Sequence, residues 1–507
     1  MKKITIYILS LLAAVCVLPG CDNGFDELNV NKTQPTSLDP AFLLNNAIIQ
    51  TSFPLEALVF EIPIVQQIIT PFGGVLGGGN YNQDNKPRNG GNWVRYNQNV
   101  LKSLVSVIES TKEDGLRTNL YHSARILRAN AAMILSDSYG DIPYFEAGKG
   151  YIEGVSSPKY DAQELVYKDI LKELEEASAA LDPTKPLVTA DVLYGGNIAS
   201  WKAFGYSLML RAAMRLSKVD PALAQQFVTK AVTGGVIQSN AGSAVVRHTT
   251  LYNNAIGAFV NGSEANNYFL AAPFLNYLKS NNDPRLKSIS VRYVGAKSGP
   301  DQVPAKANFD PALQRGMPMG YDNGTIIAKA TADGLASFYD YSQLDRFRMG
   351  KLDAPCFLVT NAQTKLLLAE AVTRTWTTGN AATLYTDAIR AHMVEMTQYT
   401  TASAITTAEI DAYIAAHPLD VANALRDINT QYWVATFLNG PETYANFRRS
   451  GFPALTPNPY PGKDITGTFI RKLTYPDTEL GINVDNVQAA ITRMGGNTLD
   501  TKVWWDK

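Results

Sequence analysis

The sequence predicts a mainly α-helical protein, built from tetratricopeptide-like helix pairs with large loop-rich insertions and a few short strands. Apolar residues recur every three or four positions in several segments, which is the period of an amphipathic helix. Short joints that contain glycine or proline separate these segments and favour antiparallel neighbours. The chain has 507 residues, 46% of them hydrophobic, which is enough to bury a large core. The likeness to tetratricopeptide repeats is architectural, because no clean repeat consensus aligns.

The N-terminus has the pattern of a secretory signal. A lysine pair precedes the apolar residues 4–18, and the stretch ends in Leu18-Pro19-Gly20-Cys21. A basic start and an apolar segment too short to span a membrane are typical of a signal peptide. The cysteine occupies the lipobox position, where it is acylated and becomes the mature N-terminus. We therefore predict a lipoprotein signal peptide over residues 1–20 and lipidation at Cys21. An ordinary signal peptide with an incidental cysteine is the alternative.

The organisation of the mature chain follows from this signal. Residues 21–40 are polar and turn-rich, which predicts an extended tether. No later stretch is apolar over the roughly 18 residues that a spanning helix needs, so the lipid is the predicted membrane attachment. With Cys21 acylated and the signal removed, Cys356 is the remaining thiol and no intramolecular disulfide can form. We predict one helical domain over residues 41–507.

The predicted domain begins with a helix at Pro40-Ala41-Phe42, and the composition then changes after residue 70. Residues 73–99 contain seven glycines and seven asparagines. Both residue types favour turns, and asparagine accepts positive φ. The sequence therefore predicts a long surface loop over residues 73–99.

Regular apolar stripes predict the helices that follow. Pro221 suits a first helical turn because its φ is fixed, and Gly234-Gly235 suits a helix end. Gly379 joins the last predicted pair. The predicted helices cover residues 120–135, 166–181, 201–216, 221–234, 357–376 and 380–399.

Two long regions lack such stripes. Residues 238–355 are rich in Asn, Gly, Pro and Tyr, with short strands predicted in segments such as 291–294. Residues 440–507 are predicted to be loop-like. Binding residues are often carried by long loops on a rigid scaffold. We therefore predict a ligand face formed mainly by residues 73–99 and 238–355.

Charge and motifs exclude several classes of function. Lys and Arg number 45 against 46 for Asp and Glu, so nothing favours binding of nucleic acid. The motifs H-E-x-x-H, G-x-S-x-G and G-x-x-x-x-G-K-[ST] are absent, and the 4 histidines do not pair at i and i+4. We predict no catalytic residue, metal site or cofactor. A glycosidase carboxyl pair stays open, because the acidic residues are too numerous to single out two.

Aromatic and amide side chains occur together in the predicted loops. A sugar stacks its C–H face on an aromatic ring while its hydroxyls bind planar amides. The alternative is that these are ordinary loop residues. The candidate ligand-binding residues are Tyr81, Trp93 and Tyr96 as stacking faces, Asn80 and Asn82 as hydroxyl partners, and Tyr339 and Tyr341 as a second patch.

Several short stretches share their type and order with a known family. They are the signal ending in Cys21, Phe25-Asp26-Glu27-Leu28-Asn29, Pro35-Thr36, Asp39-Pro40, Ala124-Arg125-Ile126-Leu127-Arg128-Ala129, Asp137-Ser138-Tyr139-Gly140-Asp141-Ile142-Pro143-Tyr144, Pro158-Lys159-Tyr160-Asp161, Asn282-Asp283-Pro284-Arg285, Leu367-Leu368-Ala369-Glu370-Ala371 and Phe447-Arg448-Arg449-Ser450-Gly451-Phe452-Pro453. Each is short, and their combination over nearly the whole chain is specific. Together they resemble the SusD/RagB-type outer-membrane nutrient-binding lipoproteins, and in particular the divergent SusD-like branch.

The resemblance implies a non-enzymatic binding protein on a helical scaffold, anchored by its lipid in the outer membrane of a Gram-negative cell and facing outward. It implies a SusC-like TonB-dependent transporter as partner, with the lipoprotein as a lid over the barrel. The implied ligand is a glycan, or in some members a peptide. Ligand residues vary within the family, so none is transferred by motif. A peptide-binding RagB-like lipoprotein, a surface glycoside hydrolase and a purely structural scaffold are the alternatives.

Overall fold

The computed structural model describes residues 38–187 and 190–507 of the chain. The predicted signal peptide, the lipidation residue Cys21 and most of the predicted tether lie outside these residues. Within the described part, Pro40–Lys507 belongs to one compact unit.

Helices dominate the described residues, and those of eight residues or more are numbered α1 to α14 here. They are Pro40–Gln50 (α1), Lys102–Thr111 (α2), Thr118–Tyr139 (α3), Gln163–Ala180 (α4), Ile198–Arg215 (α5), Pro221–Gly234 (α6), Ala272–Ser280 (α7), Thr325–Ala332 (α8), Asn361–Thr373 (α9), Ala381–Glu395 (α10), Thr407–Ala416 (α11), Ala424–Ala435 (α12), Gly440–Ser450 (α13) and Val484–Met494 (α14). All six helices predicted from apolar stripes are present, but residues 357–359, predicted to begin the fifth, belong to a strand, Cys356–Val359. The predicted fold class is confirmed.

Helices that follow one another in the chain pack together in space. Helix α3 packs on α4, α5 on α6, and α9 on α10. Contacts of α4 with α5 and of α9 with α12 join these pairs. Each pair buries the apolar stripe of both members, which no single amphipathic helix can do alone. The scaffold is therefore tetratricopeptide-like, as predicted.

The helix ends follow local side-chain chemistry. The Asp220 carboxylate accepts a hydrogen bond from the Leu223 backbone N–H at 3.0 Å, and Pro221 occupies the first turn of α6. Thr406 and Glu409 form a reciprocal capping box at the start of α11. Gly140 ends α3 with a φ of +89°, a backbone conformation that other residues adopt only with strain.

Short strands connect the helical blocks. They are Ile68–Ile69 (β1), Ile142–Pro143 (β2), Tyr160–Asp161 (β3), Ala244–Val246 (β4), Phe269–Leu270 (β5), Ser290–Tyr293 (β6), Ala307–Asn308 (β7), Gln343–Leu344 (β8) and Cys356–Val359 (β9). All pairs are antiparallel: β1 with β5, β2 with β3, β4 with β9, and β6 with both β7 and β8. The strand predicted over residues 291–294 is confirmed as β6.

Two predicted loops are wrong. Residues 73–99 contain four short helices and the start of a π-helix, Arg95–Leu101, and residues 440–507 contain α13 and α14. In the first region glycine permits close packing: a Cβ on Gly79 would lie 2.5 Å from the Phe60 carbonyl oxygen. The high glycine content therefore marks tight contact between backbones, not an open loop.

Buried charges join the scaffold helices. Both oxygens of the Glu370 carboxylate on α9 accept hydrogen bonds from Arg449 on α13 at 2.7 Å, and Arg374 donates a third at 2.8 Å. Burial alone would raise the pKa of Glu370, but the two guanidinium groups outweigh it and lower the pKa to about 2. A second buried pair, Arg215 with Glu442 at 2.6 Å, links α5 to α13. These charges have partners, so they are structural.

Candidate functional site

A small hydrophobic cluster, separate from the main core, lies beneath the loops of the long insertion. Helix α8 and strand β5 contribute side chains to it. Its buried members are Ile69, Phe269, Ala271, Met317, Ile326, Ala330, Leu335, Phe338 and Tyr341. The cluster gives the surrounding loops a packed base.

Half-buried aromatic side chains border this cluster, and Phe72, Tyr321, Tyr339 and Tyr460 are called the aromatic rim here. The first three pack on the cluster together with Met319. The centroids of the Phe72 and Phe338 rings are 6.0 Å apart, and the Tyr339 ring stacks on Phe338 with its centroid 4.2 Å away. Three loops from distant parts of the chain thus present aromatic rings around one base.

Tyr460 joins the rim through close contacts between loops. Its ring centroid lies 4.5 Å from that of Tyr81. A Cβ on Gly320, which has a φ of +87°, would lie 2.5 Å from the Pro459 ring, so the Gly320 backbone packs directly on the proline that precedes Tyr460. Glycine is required at this position by both its conformation and the lack of space.

Polar side chains lie beside the rings. The Asp322 carboxylate accepts hydrogen bonds from the backbone N–H groups of Thr325 at 2.9 Å and Gly324 at 3.1 Å, and these bonds lower its pKa. Asn323 is exposed and Gln83 is half-buried. Rings with adjacent amide and carboxylate groups are suited to a ligand that has both apolar faces and hydroxyl groups.

Trp93 and Tyr96, predicted as stacking faces, are buried in the main core. Trp93 is 4% exposed and contacts the rings of Tyr139, Tyr160 and Tyr475, with centroids 5.2 to 5.8 Å away. Tyr96 is fully buried and its hydroxyl donates to the Thr51 carbonyl oxygen at 3.1 Å. The prediction of open stacking faces at these positions is corrected, because the region they belong to folds into the core.

Asn80, Tyr81 and Asn82 are likewise buried, and they support the rim from below. The Asn80 amide donates to the Thr70 carbonyl oxygen at 2.8 Å. The Tyr81 hydroxyl donates to the Pro71 carbonyl oxygen at 2.5 Å, and burial raises its pKa. The Asn82 carbonyl accepts the Asp464 backbone N–H at 2.9 Å. These contacts position Phe72 and Tyr460. Asn80 and Asn82, predicted to bind ligand hydroxyl groups, therefore have a structural role.

Of the two residues in the second predicted patch, Tyr341 is buried in the core and Tyr339 is partly exposed. Tyr341 is 1% exposed and its hydroxyl donates to Asp333 at 2.7 Å, so its ring offers no open face. Tyr339 is half-buried and belongs to the rim. Its ligand-binding role stays a prediction with which the geometry agrees.

The sequence contained signals for the rim residues that were not predicted. Tyr321 precedes Asp322-Asn323-Gly324, a turn sequence in which a large ring has little local structure to pack on. Tyr460 stands between Pro459 and Pro461, and prolines on both sides disfavour helix and central strand. Phe72 precedes a glycine pair.

A cleft of about 460 Å³ lies next to the rim. Met319 lines the cleft and also packs on the cluster beneath the rim. Aspartate and glutamate are absent from the described residues that line it. The lining consists of Gln66, Ala272, Pro273, Asn276, Tyr277, Pro318, Met319, Trp433, Pro453, Ala454, Leu455, Thr456, Pro457 and Pro459.

A larger groove of about 640 Å³ lies elsewhere, between the C-terminal end of α7 and helix α11. Its acidic side chains have partners: Asp283 pairs with Arg285, Glu409 pairs with Lys287, and Asp310 accepts the Ala312 backbone N–H at 2.9 Å.

Across residues 38–187 and 190–507, no group of three or more His, Cys, Asp or Glu side chains could hold a metal ion. Within the same ranges, no helix is long and apolar enough to cross a membrane.

Comparisons with solved structures give the same fold. A chitin-binding protein is 28% identical with a TM-score of 0.81, and the match covers 92% of this chain and 100% of that one. A SusD-like protein from Bacteroidetes AC2a is also 28% identical with a TM-score of 0.81, over 93% and 100% of the two chains. A chitin-binding SusD homologue from Flavobacterium johnsoniae, at 24% identity and a TM-score of 0.75 over 92% and 98%, supports the fold alone. No curated protein matches the chain.

A family model extends this likeness to the sequence itself. The model described as SusD-like_2, starch-binding associating with outer membrane, matches residues 32–476. The match includes the loops that carry all four rim residues as well as helices α1 to α13. The chain therefore belongs to the SusD-like family of outer-membrane-associated, glycan-binding proteins.

Proposed function

We propose that this protein is a non-enzymatic surface lipoprotein that holds an oligosaccharide on the aromatic rim and delivers it to a SusC-like TonB-dependent transporter. The observation that carries the proposal is the rim itself: four half-buried rings from separate loops, three of them packed on one small cluster and the fourth, Tyr460, packed on Tyr81. Partly exposed rings lose little conformational entropy on binding and accept the apolar face of a sugar.

The ligand is proposed to be a glycan because of the polar groups beside the rings. Asp322, Asn323 and Gln83 offer acceptors and donors at the same surface. A solved structure at 28% identity is that of a chitin-binding protein, and this supports oligomers of N-acetylglucosamine as the first ligands to test.

Anchoring and transport are proposed from the sequence and the family together. Lipidation at Cys21 would hold the protein at the outer membrane, and the scaffold would dock on the transporter as a lid. A lid that closes with only a marginal preference releases ligand inward. Metabolic labelling with a fatty acid should mark the wild-type protein and not Cys21→Ser. Labelling of both proteins would contradict the anchor.

Calorimetric titration with chito-, cello- and malto-oligosaccharides tests the ligand. We expect Tyr321→Ala, Tyr339→Ala and Tyr460→Ala each to weaken binding about 10-fold, which corresponds to roughly 1.4 kcal/mol for one stacking contact. Tyr252→Ala is the matched control, because Tyr252 is 60% exposed and lies outside the rim. Equal affinity in rim and control variants would contradict the proposed site.

The same samples distinguish the alternative functions. Chromatography of the incubated oligosaccharides should recover them intact, and cleavage products would identify a glycoside hydrolase. Binding of extended peptides without binding of any oligosaccharide would identify a peptide-binding lipoprotein instead.

A further inference from the structure

The cleft lies directly beside the rim and shares residues with the loops that form it. Met319 borders both surfaces, and Pro459, which lines the cleft, directly precedes the rim residue Tyr460. A ligand that lies on the rim therefore reaches the mouth of the cleft with its substituents.

The cleft walls are mainly apolar. Five of the lining residues are prolines, which have no backbone N–H to donate, and Met319 and Trp433 add apolar surface. A hydroxyl group placed against such walls would lose its hydrogen bonds to water without replacement. A methyl group would gain from the same environment.

Gln66 is a polar residue on this wall whose side chain is buried. It is 1% exposed, and its amide nitrogen donates to the Thr456 carbonyl oxygen at 2.6 Å. Among the described residues, its Oε1 has no hydrogen-bond partner. A buried acceptor without a donor costs free energy, and native proteins keep few of them.

The backbone of Gln66 is also unusual. Its φ is +56°, in the left-handed region that glycine and asparagine adopt far more readily than glutamine. Strain of this kind persists where the surrounding structure holds it in place, and it is frequent at ligand-binding positions. Burial, an unpaired acceptor and strain therefore coincide at one residue of the cleft wall.

We propose that the cleft is a subsite for the acetamido substituent of an amino sugar, with Gln66 as the specificity-determining residue. This proposal rests on the proposed function. The acetamido methyl packs on the prolines and Met319, and its N–H donates to Gln66 Oε1 when the side chain turns into the cleft. The exposed Asn276, also on the wall, donates to the acetamido carbonyl oxygen. An unsubstituted hexose has neither the N–H nor the methyl group.

Titration with chitotetraose and cellotetraose tests this subsite, since the two differ in the acetamido group on each sugar. We expect the wild-type protein to bind chitotetraose at least 10-fold more tightly. Gln66→Met should reduce this ratio to about one by weakening chitotetraose alone. Gln343→Met is the matched control, because Gln343 is also 1% exposed with unpartnered amide atoms but lies outside the cleft lining. It should keep the wild-type ratio.

A second variant leaves Gln66 and its support untouched. Ala454→Trp, at an exposed position of the cleft lining, should fill the cleft, abolish the preference for chitotetraose and leave cellotetraose binding on the rim unchanged. Equal wild-type affinities for the two tetraoses, or an equal loss for both in Gln66→Met, would overturn the subsite and leave the rim in place. Binding of neither tetraose would overturn the subsite, and failure of the malto-oligosaccharides as well would overturn the proposed function.

Discussion

The helical scaffold and the aromatic rim use opposite side-chain chemistry. In the scaffold the deepest groups include charges, such as Glu370 with Arg449, that are fully buried and paired. The rim consists of aromatic rings that are only half-buried; three pack on a small apolar cluster, and Tyr460 packs on Tyr81. Paired charges in the interior are satisfied and do no chemistry, whereas partly packed rings keep contact area for a ligand.

Rim residues can therefore change in evolution with less effect on the fold than the buried ion pairs of the scaffold. A buried ion pair fixes the relation of two helices, and removal of one partner leaves an unpaired charge. A rim residue contributes little to the core, so its replacement changes recognition more than stability. Variants in the two regions should therefore separate effects on stability from effects on ligand affinity.

Arg449→Ala should destabilise the helical scaffold. The Glu370 carboxylate would lose two hydrogen bonds in a site where it is fully buried, and we expect the free energy of unfolding to fall by about 3–5 kcal/mol. Urea denaturation measures it. Arg390→Ala is the control, because the Arg390–Asp411 pair is exposed, and it should leave the midpoint nearly unchanged. A similar loss in both variants would contradict the special role of the buried pair.

Trp93→Ala tests the assignment of Trp93 to the core. Removing an indole that packs on three buried tyrosines should cost about 3–5 kcal/mol of stability. Oligosaccharide affinity of the folded protein should stay at the wild-type value. Trp376→Ala, at a half-buried position, should cost less. A specific loss of affinity with unchanged stability would place Trp93 at the ligand after all.

Glu395→Gln tests a buried carboxyl group of the other kind, because no cation among the described residues pairs with Glu395. Burial raises its pKa from 4.5 to about 8. The folded state then holds a proton that the unfolded state releases, so wild-type stability should fall as pH rises from 4.5 to 8. The variant should lack this decline and be more stable by up to roughly 3 kcal/mol at pH 7.

Thermal and urea unfolding of Glu395→Gln across this pH range provide the measurement. Glu370→Gln is the opposite case, because its pKa is lowered to about 2. The stability that Glu370 contributes is present above pH 4.5 and is lost as pH falls towards 2. Parallel pH profiles for the two variants would contradict the assignment of one neutral and one ionised buried glutamate.

Tyr321→Ala should have the smallest effect on stability. The ring is half-buried at the edge of the small cluster, so we expect a loss below about 1 kcal/mol together with the affinity loss described for the rim. Unfolding and titration of the same sample separate the two effects. A stability loss as large as that of Trp93→Ala would make Tyr321 part of the core.

Much of the fold was predictable because a helix leaves a periodic pattern in a short stretch of sequence. The stripes over residues 120–135, 166–181 and 201–216 place apolar side chains on one face at the helical period, and α3, α4 and α5 follow them. Pro221 and Gly234 gave both ends of α6. The region 73–99 failed because glycine has two uses, turns and close backbone contact, and composition does not distinguish them.

The position of the candidate site was not predictable from the sequence, and its sugar-binding role stays a proposal. Aromatic and amide residues in the insertion indicated a sugar-binding surface, and Tyr339 was among them. Trp93 and Tyr341 are in the same sequence environment, yet they are buried against residues far away in the chain. Gln66 gave no local signal, since its unpaired oxygen and positive φ arise only from its packed surroundings.

By itself, the amino-acid sequence determined a helical scaffold of paired amphipathic segments, because helix period and capping act over a few neighbouring residues. It also carried the family likeness that the matched residues 32–476 establish. Only the tertiary structure decided which rings reach solvent and which support them from below. Exposure depends on contacts between residues far apart in the chain, such as Phe72 with Phe338 and Tyr81 with Tyr460, and no local pattern encodes such contacts.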